Sequence, residues 1–279
     1  MTNYQEKLSA ALEPVIGIQS LSINANAERP FLQDRTRLRI YQRDLDRQQN
    51  IERIADLASA EIPDGLTDHP TTRDWLNQFF DYAQDVSDEI AQQFWAKLLA
   101  LYIANPEAIS KRSLIALHGL DVWEVKAFIE YCSFAFLLES GWPFVFEEAI
   151  TRREMWGYVQ GQDYTQHFIN IGLLCPELMT MRPRSTRGIK IRYFAKEYDL
   201  VLPDDTGPKG EGSDISLGYR KFTPTGQQLA KAVKARIYYG YARNLIRTLD
   251  AQRNVQFKLR ETEEEVFLRQ LIPSLMPAI

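Results

Sequence analysis

The stretch DWLNQFFDYAQDVSDEIAQQFWAKLLA, Asp74 to Ala100, decides the fold class. In its first half Trp75, Leu76, Phe79, Phe80 and Ala83 fall on one helical face, with Thr72 placed to cap a helix running through Tyr82. The second half restarts at Ser87, a cap residue. Asp88 and Glu89 follow in the first turn, where the helix dipole favours negative charge. Ile90, Phe94, Leu98 and Tyr102 line one row of this helix, and Ala91, Trp95 and Leu99 the next. So wide an apolar stripe predicts a helix at the centre of a core, stopped by Asn105 and Pro106. The chain reads as mainly α.

Upstream, a turn-rich stretch from Glu13 to Arg29 separates a short N-terminal helix from a long one. The long helix is expected from Pro30, a residue suited to the first helical position, to about Ala60, before Pro63 and Gly65. Leu38, Tyr41, Leu45, Ile54 and Ala58 are expected on one face with Gln48 as a polar gap. That is an amphipathic helix packed on a neighbour, not a clean coiled-coil seam. Downstream, Ser110 or Ser113 starts a short helix closing at Gly119. Asp121 with Glu124 is a capping-box start to a helix expected to reach about Leu138. The aromatics Trp75, Phe79, Phe80, Phe94, Trp95, Phe128, Tyr131, Phe134 and Phe136 are expected to build one core.

The last third reads differently. Gly141, Trp142 and Pro143 break the chain. Helices are expected over Glu147 to Tyr158 and Asp163 to Leu174. Ile189, Ile191 and Tyr193 alternate with Lys190, Arg192 and Phe194, a strand signal. Pro203 to Gly218 is loop-like, Tyr219 to Phe222 a return strand, and Thr223 with Pro224 opens a helix expected from Gly226 to about Gln252. This order predicts a winged-helix-like α+β module with a small β-hairpin. The domains expected are an acidic helical one over 1–140, the winged-helix-like one over 141–260, and a tail over 261–279. In that tail Leu268, Leu271, Ile272 and Leu275 can bury one short helix.

Composition excludes several classes. Of 279 residues, 45% are hydrophobic and 25% charged, which is neither a disordered nor a fibrous balance. Cys132 and Cys175 stand far apart in apolar surroundings and read as reduced thiols, not as a disulfide framework or a zinc site. Residues 1–20 lack a secretory signal, and the most apolar run, Ala127 to Leu138, is too short to cross a bilayer. A cytoplasmic protein with no cofactor, no metal and no membrane association is expected.

Catalytic motifs are missing from the sequence. His69, His118 and His167 lie in different elements, and Gly210 to Gly212 sits in a loop, not between a strand and a helix. Acidic pairs such as Asp88/Glu89 and Glu147/Glu148 suit helix starts. A non-enzymatic interaction or regulatory protein is therefore expected, with a protein partner or a homo-oligomer. Arg35, Arg39, Arg43 and Arg47 recur every four residues on one slowly turning face, a candidate protein-docking face or a partner to the acidic helical block.

The net charge of −4 conceals a bipolar chain. Residues 1–181 carry 15 Lys+Arg against 26 Asp+Glu, whereas residues 182–260 carry 17 against 7. Arg182, Arg184, Arg187, Lys190 and Arg192 cluster at the first strand, and Lys231, Lys234 and Arg236 on the last helix, with Arg243 and Arg247 beyond. They are candidate nucleic-acid contacts, the alternative function. The expected recognition helix, Asp163 to Leu174, holds no Lys or Arg, which argues for weak backbone anchoring there.

Three stretches carry a resemblance: RDLDRQQNIERIADLA (Arg43 to Ala58), the Asp74 to Ala100 stretch, and the pairing of GLL (Gly172 to Leu174) with FTPTGQQLA (Phe222 to Ala230). Together they resemble a family of uncharacterised bacterial proteins, a domain of unknown function. The middle stretch is also distantly similar to the abortive-infection alpha proteins. After AKLLA the family tends to carry Gly-Glu, where this chain has Leu101 and Tyr102. The resemblance implies an intracellular bacterial protein, a context of phage defence at most, and no catalytic residue.

Overall fold

The computed structural model describes residues 7, 31–62, 70–147, 152–153, 155, 163–183, 188–202, 216–253 and 255–259. Helix predominates and is joined by an antiparallel sheet in the C-terminal half. The chain divides into two compact units, Met1–Leu114 and Ile115–Ile279. This division falls within a helix, ahead of the boundary at 140 expected from the sequence.

The first unit is helical. It holds α1 (Leu32–Ser59), α2 (Arg73–Ala83), α3 (Glu89–Ala104) and a 3-10 turn at Pro106–Ala108; α4 (Lys111–His118) spans the division. The cap of α3 is Asp88, one residue past the expected Ser87: its carboxylate accepts from the backbone N–H groups of Ile90 at 3.1 Å and Ala91 at 3.0 Å. The wide stripe on α3 is buried except at its start, where Ile90 is 42% exposed; Phe94, Trp95, Leu98 and Tyr102 lie in the core beside Trp75 and Phe79. Trp75 stacks on Tyr102 at 3.6 Å and its indole N–H donates to the Ile109 carbonyl at 3.1 Å, so this buried ring leaves no polar atom unpaired.

The expected single face of α1 is not what the structure shows. Ile54 and Ala58 are buried, whereas Leu38, Tyr41 and Leu45 are 55%, 63% and 39% exposed. The reason is arithmetic. The nine residues from Leu45 to Ile54 turn a helix through about 900°, which is half a revolution out of phase. The helix therefore carries two apolar stripes on opposite sides. One packs on the unit's own core; the other, over its N-terminal half, is open.

The second unit holds α5 (Val122–Cys132), β1 (Phe136–Leu138), β2 (Pro143–Phe146), α6 (Thr165–Asn170), β3 (Met179–Met181), β4 (Ile189–Tyr193), β5 (Lys196–Val201), β6 (Leu217–Lys221), α7 (Pro224–Ala232), α8 (Tyr239–Arg253) and β7 (Gln256–Leu259). The strands form one seven-stranded sheet in the order β3-β6-β2-β1-β4-β5-β7, with every pairing antiparallel. The small hairpin of a winged-helix-like module thus becomes a sheet. Two of its strands lie where a helix and a break were expected. α5 stops at Cys132 and β1 follows, and Pro143–Phe146 is a strand buried along its whole length. A four-residue run buried throughout has no period from which to tell strand from helix.

The expected helix over Asp163 to Leu174 shortens to α6. Gly172, at φ +76°, turns the chain so that Leu174 bridges Phe222. The helix expected over Gly226 to Gln252 is two helices. Between them the Arg236 N–H donates to the Ser133 hydroxyl at 3.0 Å and the Tyr238 N–H to the Tyr193 hydroxyl at 3.1 Å, so tertiary bonds replace helical ones. The expected one aromatic core is divided as well. Trp75, Phe79, Phe94 and Trp95 lie in the first unit, while Phe128, Tyr131, Phe134 and Phe136 are buried in the second with Phe144, Phe146, Phe168 and Tyr241. The short N-terminal helix, most of the 147–158 helix, the loop over 203–215 and the tail over 261–279 lie outside the described residues.

Candidate interaction surfaces

Of the arginine series on α1, Arg47 turns inward to the helical block. Its Nε and Nη2 donate to the two oxygens of Asp85 at 2.6 and 2.8 Å, a bidentate pair. Asp85 holds the Arg47 guanidinium pKa above its ordinary value through this hydrogen bond. Arg43 lies 3.3 Å from its chain neighbour Asp44, not from Asp46, which accepts from Gln42 instead. Arg35 and Arg39 are half-buried. Further along, Arg53 pairs with Glu89 at 3.1 Å and Lys97 with Glu61. The C-terminal part of α1 is thus tied to acids of its own unit, while the open stripe of Leu38, Tyr41 and Leu45 faces away from those ties.

The basic residues at the first predicted strand do not form one surface. On β4, Lys190 and Arg192 are exposed while Ile191 and Tyr193 are buried, the alternation of a strand with one covered face. Across the ladder Lys190 stands opposite Asp199 and Arg192 opposite Glu197, and the Lys190 ammonium lies 2.9 Å from Glu139. Cross-strand acids therefore offset both cations. A pocket of about 170 Å³ at this place is lined by Glu139, Lys190, Arg192 and Glu197 with Leu137 and Ile191, two charges of each sign. Arg182 is exposed just after β3; Arg184 and Arg187 lie outside the described residues.

The second basic group sits elsewhere. Tyr193, on the covered face of β4, packs 6.2 Å from Tyr241 of α8, so α8 lies on the side of the sheet away from Lys190 and Arg192. Along its solvent side α8 presents Tyr239, Arg243 and Arg247, one helical turn apart. Lys196, the first residue of β5, lies over the Tyr239 ring at 5.8 Å. Lys231, Lys234 and Arg236 are exposed at the end of α7 and in the link to α8.

Two buried polar clusters escape sequence reading. Glu147 and Arg220 have side chains 4% and 9% exposed; Arg220 Nε donates to Glu147 at 2.6 Å and its Nη1 to the carbonyls of Cys175 at 2.7 Å and Pro176 at 2.8 Å. Arg152 closes on the other oxygen of Glu147. The second cluster joins α6 to the start of α5. His167 Nε2 and Glu124 Oε1 are 2.6 Å apart, Glu124 Oε2 accepts from the Asp121 N–H at 2.7 Å, and the Trp123 ring lies 5.0 Å from that of His167. Both carboxylate oxygens of Glu124 are thereby engaged in structural bonds. The capping box at Asp121 is legible in the sequence; the arrival of His167, 43 residues later, carries no local signal.

Among the described residues no helix is long and apolar enough to cross a membrane, and no group of three or more His, Cys, Asp or Glu side chains is placed to hold a metal ion. The cysteines are free, Cys132 buried and Cys175 half-buried. No curated protein and no solved structure matches the chain. Residues 34–147, from α1 through β2, match a family described as a protein of unknown function (DUF2806), which supports placing this stretch in a family that has no assigned activity.

Proposed function

We propose that the protein is a non-enzymatic interaction module that docks a protein partner on the open face of α1. The observation that carries this reading is the exposure of Leu38, Tyr41 and Leu45 at helical spacing, half a turn from the residues that pack α1 on its own unit. Spacings of three and four residues are how a helix presents anchors to a groove or to another helix. An exposed apolar stripe rimmed by charge marks a contact surface. Site-specific photo-crosslinking in the cell tests it. A photoreactive residue at position 41 is expected to give an adduct of discrete mass, lost in Leu38→Glu and absent when the probe is at the exposed Glu107, off this helix. Equal labelling at both positions would remove the reading.

A second reading is nucleic-acid binding through Lys196, Tyr239, Arg243 and Arg247, with Lys231, Lys234 and Arg236 beside them. It is favoured by a basic strip carrying an exposed ring, the combination that tracks a phosphate backbone and stacks a base. Lys190 and Arg192 support it less, because acids stand opposite both. A role in phage defence rests on the distant resemblance of residues 74–100 to abortive-infection alpha proteins read from the sequence alone.

A further inference from the structure

We infer that the occupant of the open α1 stripe is a second copy of this chain, bound antiparallel across a two-fold axis at Tyr41. This rests on the docking role proposed for that face and names the partner.

The argument is charge complementarity. On a helical wheel, Arg37 and Asp44 flank the stripe on one side, and Arg35 and Asp46 on the other. On both sides the base lies toward the N-terminal end and the acid toward the C-terminal end. A stripe with this polarity repels a parallel copy and complements an antiparallel one. Place Tyr41 against Tyr41 of the second copy, and Leu38 meets the second copy's Leu45. Arg37 then lies beside its Asp44 and Arg35 beside its Asp46, all in one register. Asp34, the acid within the stripe, falls opposite Gln48, whose amide can donate to it. Each contact off the axis occurs twice, as a two-fold interface requires. Among the described residues these two acids bond to local, exposed partners: Asp44 pairs with Arg43 and Asp46 accepts from Gln42. Such exposed bonds contribute little and exchange readily. Arg47, fixed in a bidentate pair, points to Asp85 and takes no part.

Sedimentation equilibrium of the full chain tests this. A dimer dissociating with dilution is expected at up to about 100 µM, as suits a small interface. Tyr41→Arg, which sets two like charges on the axis, is expected to weaken it at least about tenfold. Arg37→Asp and Asp44→Arg each weaken it, and the double swap restores it. These two positions are about 10 Å apart along the helix, so the restoration cannot arise within one chain. Circular dichroism should show all variants folded, since every altered side chain is exposed. A chain that stays monomeric at that concentration, or a double swap that fails to restore, overturns the inference. Crosslinking at position 41 separates the two proposals. An adduct to another protein from a monomeric chain leaves the docking role standing with a different occupant; no adduct at all removes both.

Discussion

Glu147 and Arg220 show what a buried charge demands. The carboxylate is held by Arg220 and Arg152, and Arg220 Nη1 donates to the carbonyls of Cys175 and Pro176. Removing Arg220 leaves the Glu147 carboxylate desolvated with only the half-exposed Arg152 against it, and a cavity where the guanidinium stood. Arg220→Ala is therefore expected to cost about 3–5 kcal/mol in urea unfolding. Exposed pairs behave differently, and Arg53→Ala, which loses only the Glu89 contact, is expected to cost under about 1 kcal/mol. Cys132 shows the same physics in a titration. Burial holds its thiol well above the ordinary value of 9.0, and the Tyr131 hydroxyl is likewise raised above 10.0 by burial. The unfolded chain ionises at the ordinary values, so it sheds these protons first. Stability is full below about pH 9 and falls above it, by up to about 1.4 kcal/mol per pH unit for each group. Denaturant midpoints measured from pH 7 to 11 should show this fall, and Cys132→Ala should make it shallower.

Elements were legible where a period ran long enough to register. α2 and α3 follow their apolar stripes, and α7 follows its Thr-Pro start, the Thr223 hydroxyl accepting from the Gly226 N–H at 3.0 Å. Three failures have separate causes. β2 is too short and too uniformly apolar to show a period. The break between α7 and α8 is made by hydroxyls of Ser133 and Tyr193, far off in sequence. The two faces of α1 differ by a phase that residue type alone does not reveal. The GLL and FTPTG stretches, by contrast, do meet, through the Leu174–Phe222 bridge and the Thr223 hydroxyl on the Gly172 carbonyl at 2.6 Å. Gly226 permits the approach, for a Cβ there would stand 2.0 Å from the Leu173 carbonyl oxygen, a backbone atom with little room to move. Gly226→Ala is accordingly expected to lower stability by about 1–3 kcal/mol despite its better helix propensity, a sign that thermal unfolding can check.

For the whole molecule the question is where the charge goes. The basic C-terminal part is not one surface: β4 cations meet acids on β5 and Glu139, while those of α8 lie on the other side of the sheet. Should the chain bind single-stranded nucleic acid, Arg243→Ala with Arg247→Ala is expected to weaken a gel shift and to lower its log–log salt slope by about 1–2, whereas Arg192→Ala should change neither. No shift at low salt would end that reading. The sequence by itself determined the helical block, the caps at Asp121 and Thr223, the reduced thiols and the bipolar charge, because each follows from neighbouring residues or from composition. Tertiary structure decided which side of α1 stays open, which cations are offset, where His167 docks, and that the last third builds a sheet. Those outcomes depend on pairings between residues tens of positions apart, and no local pattern of residue types encodes their geometry.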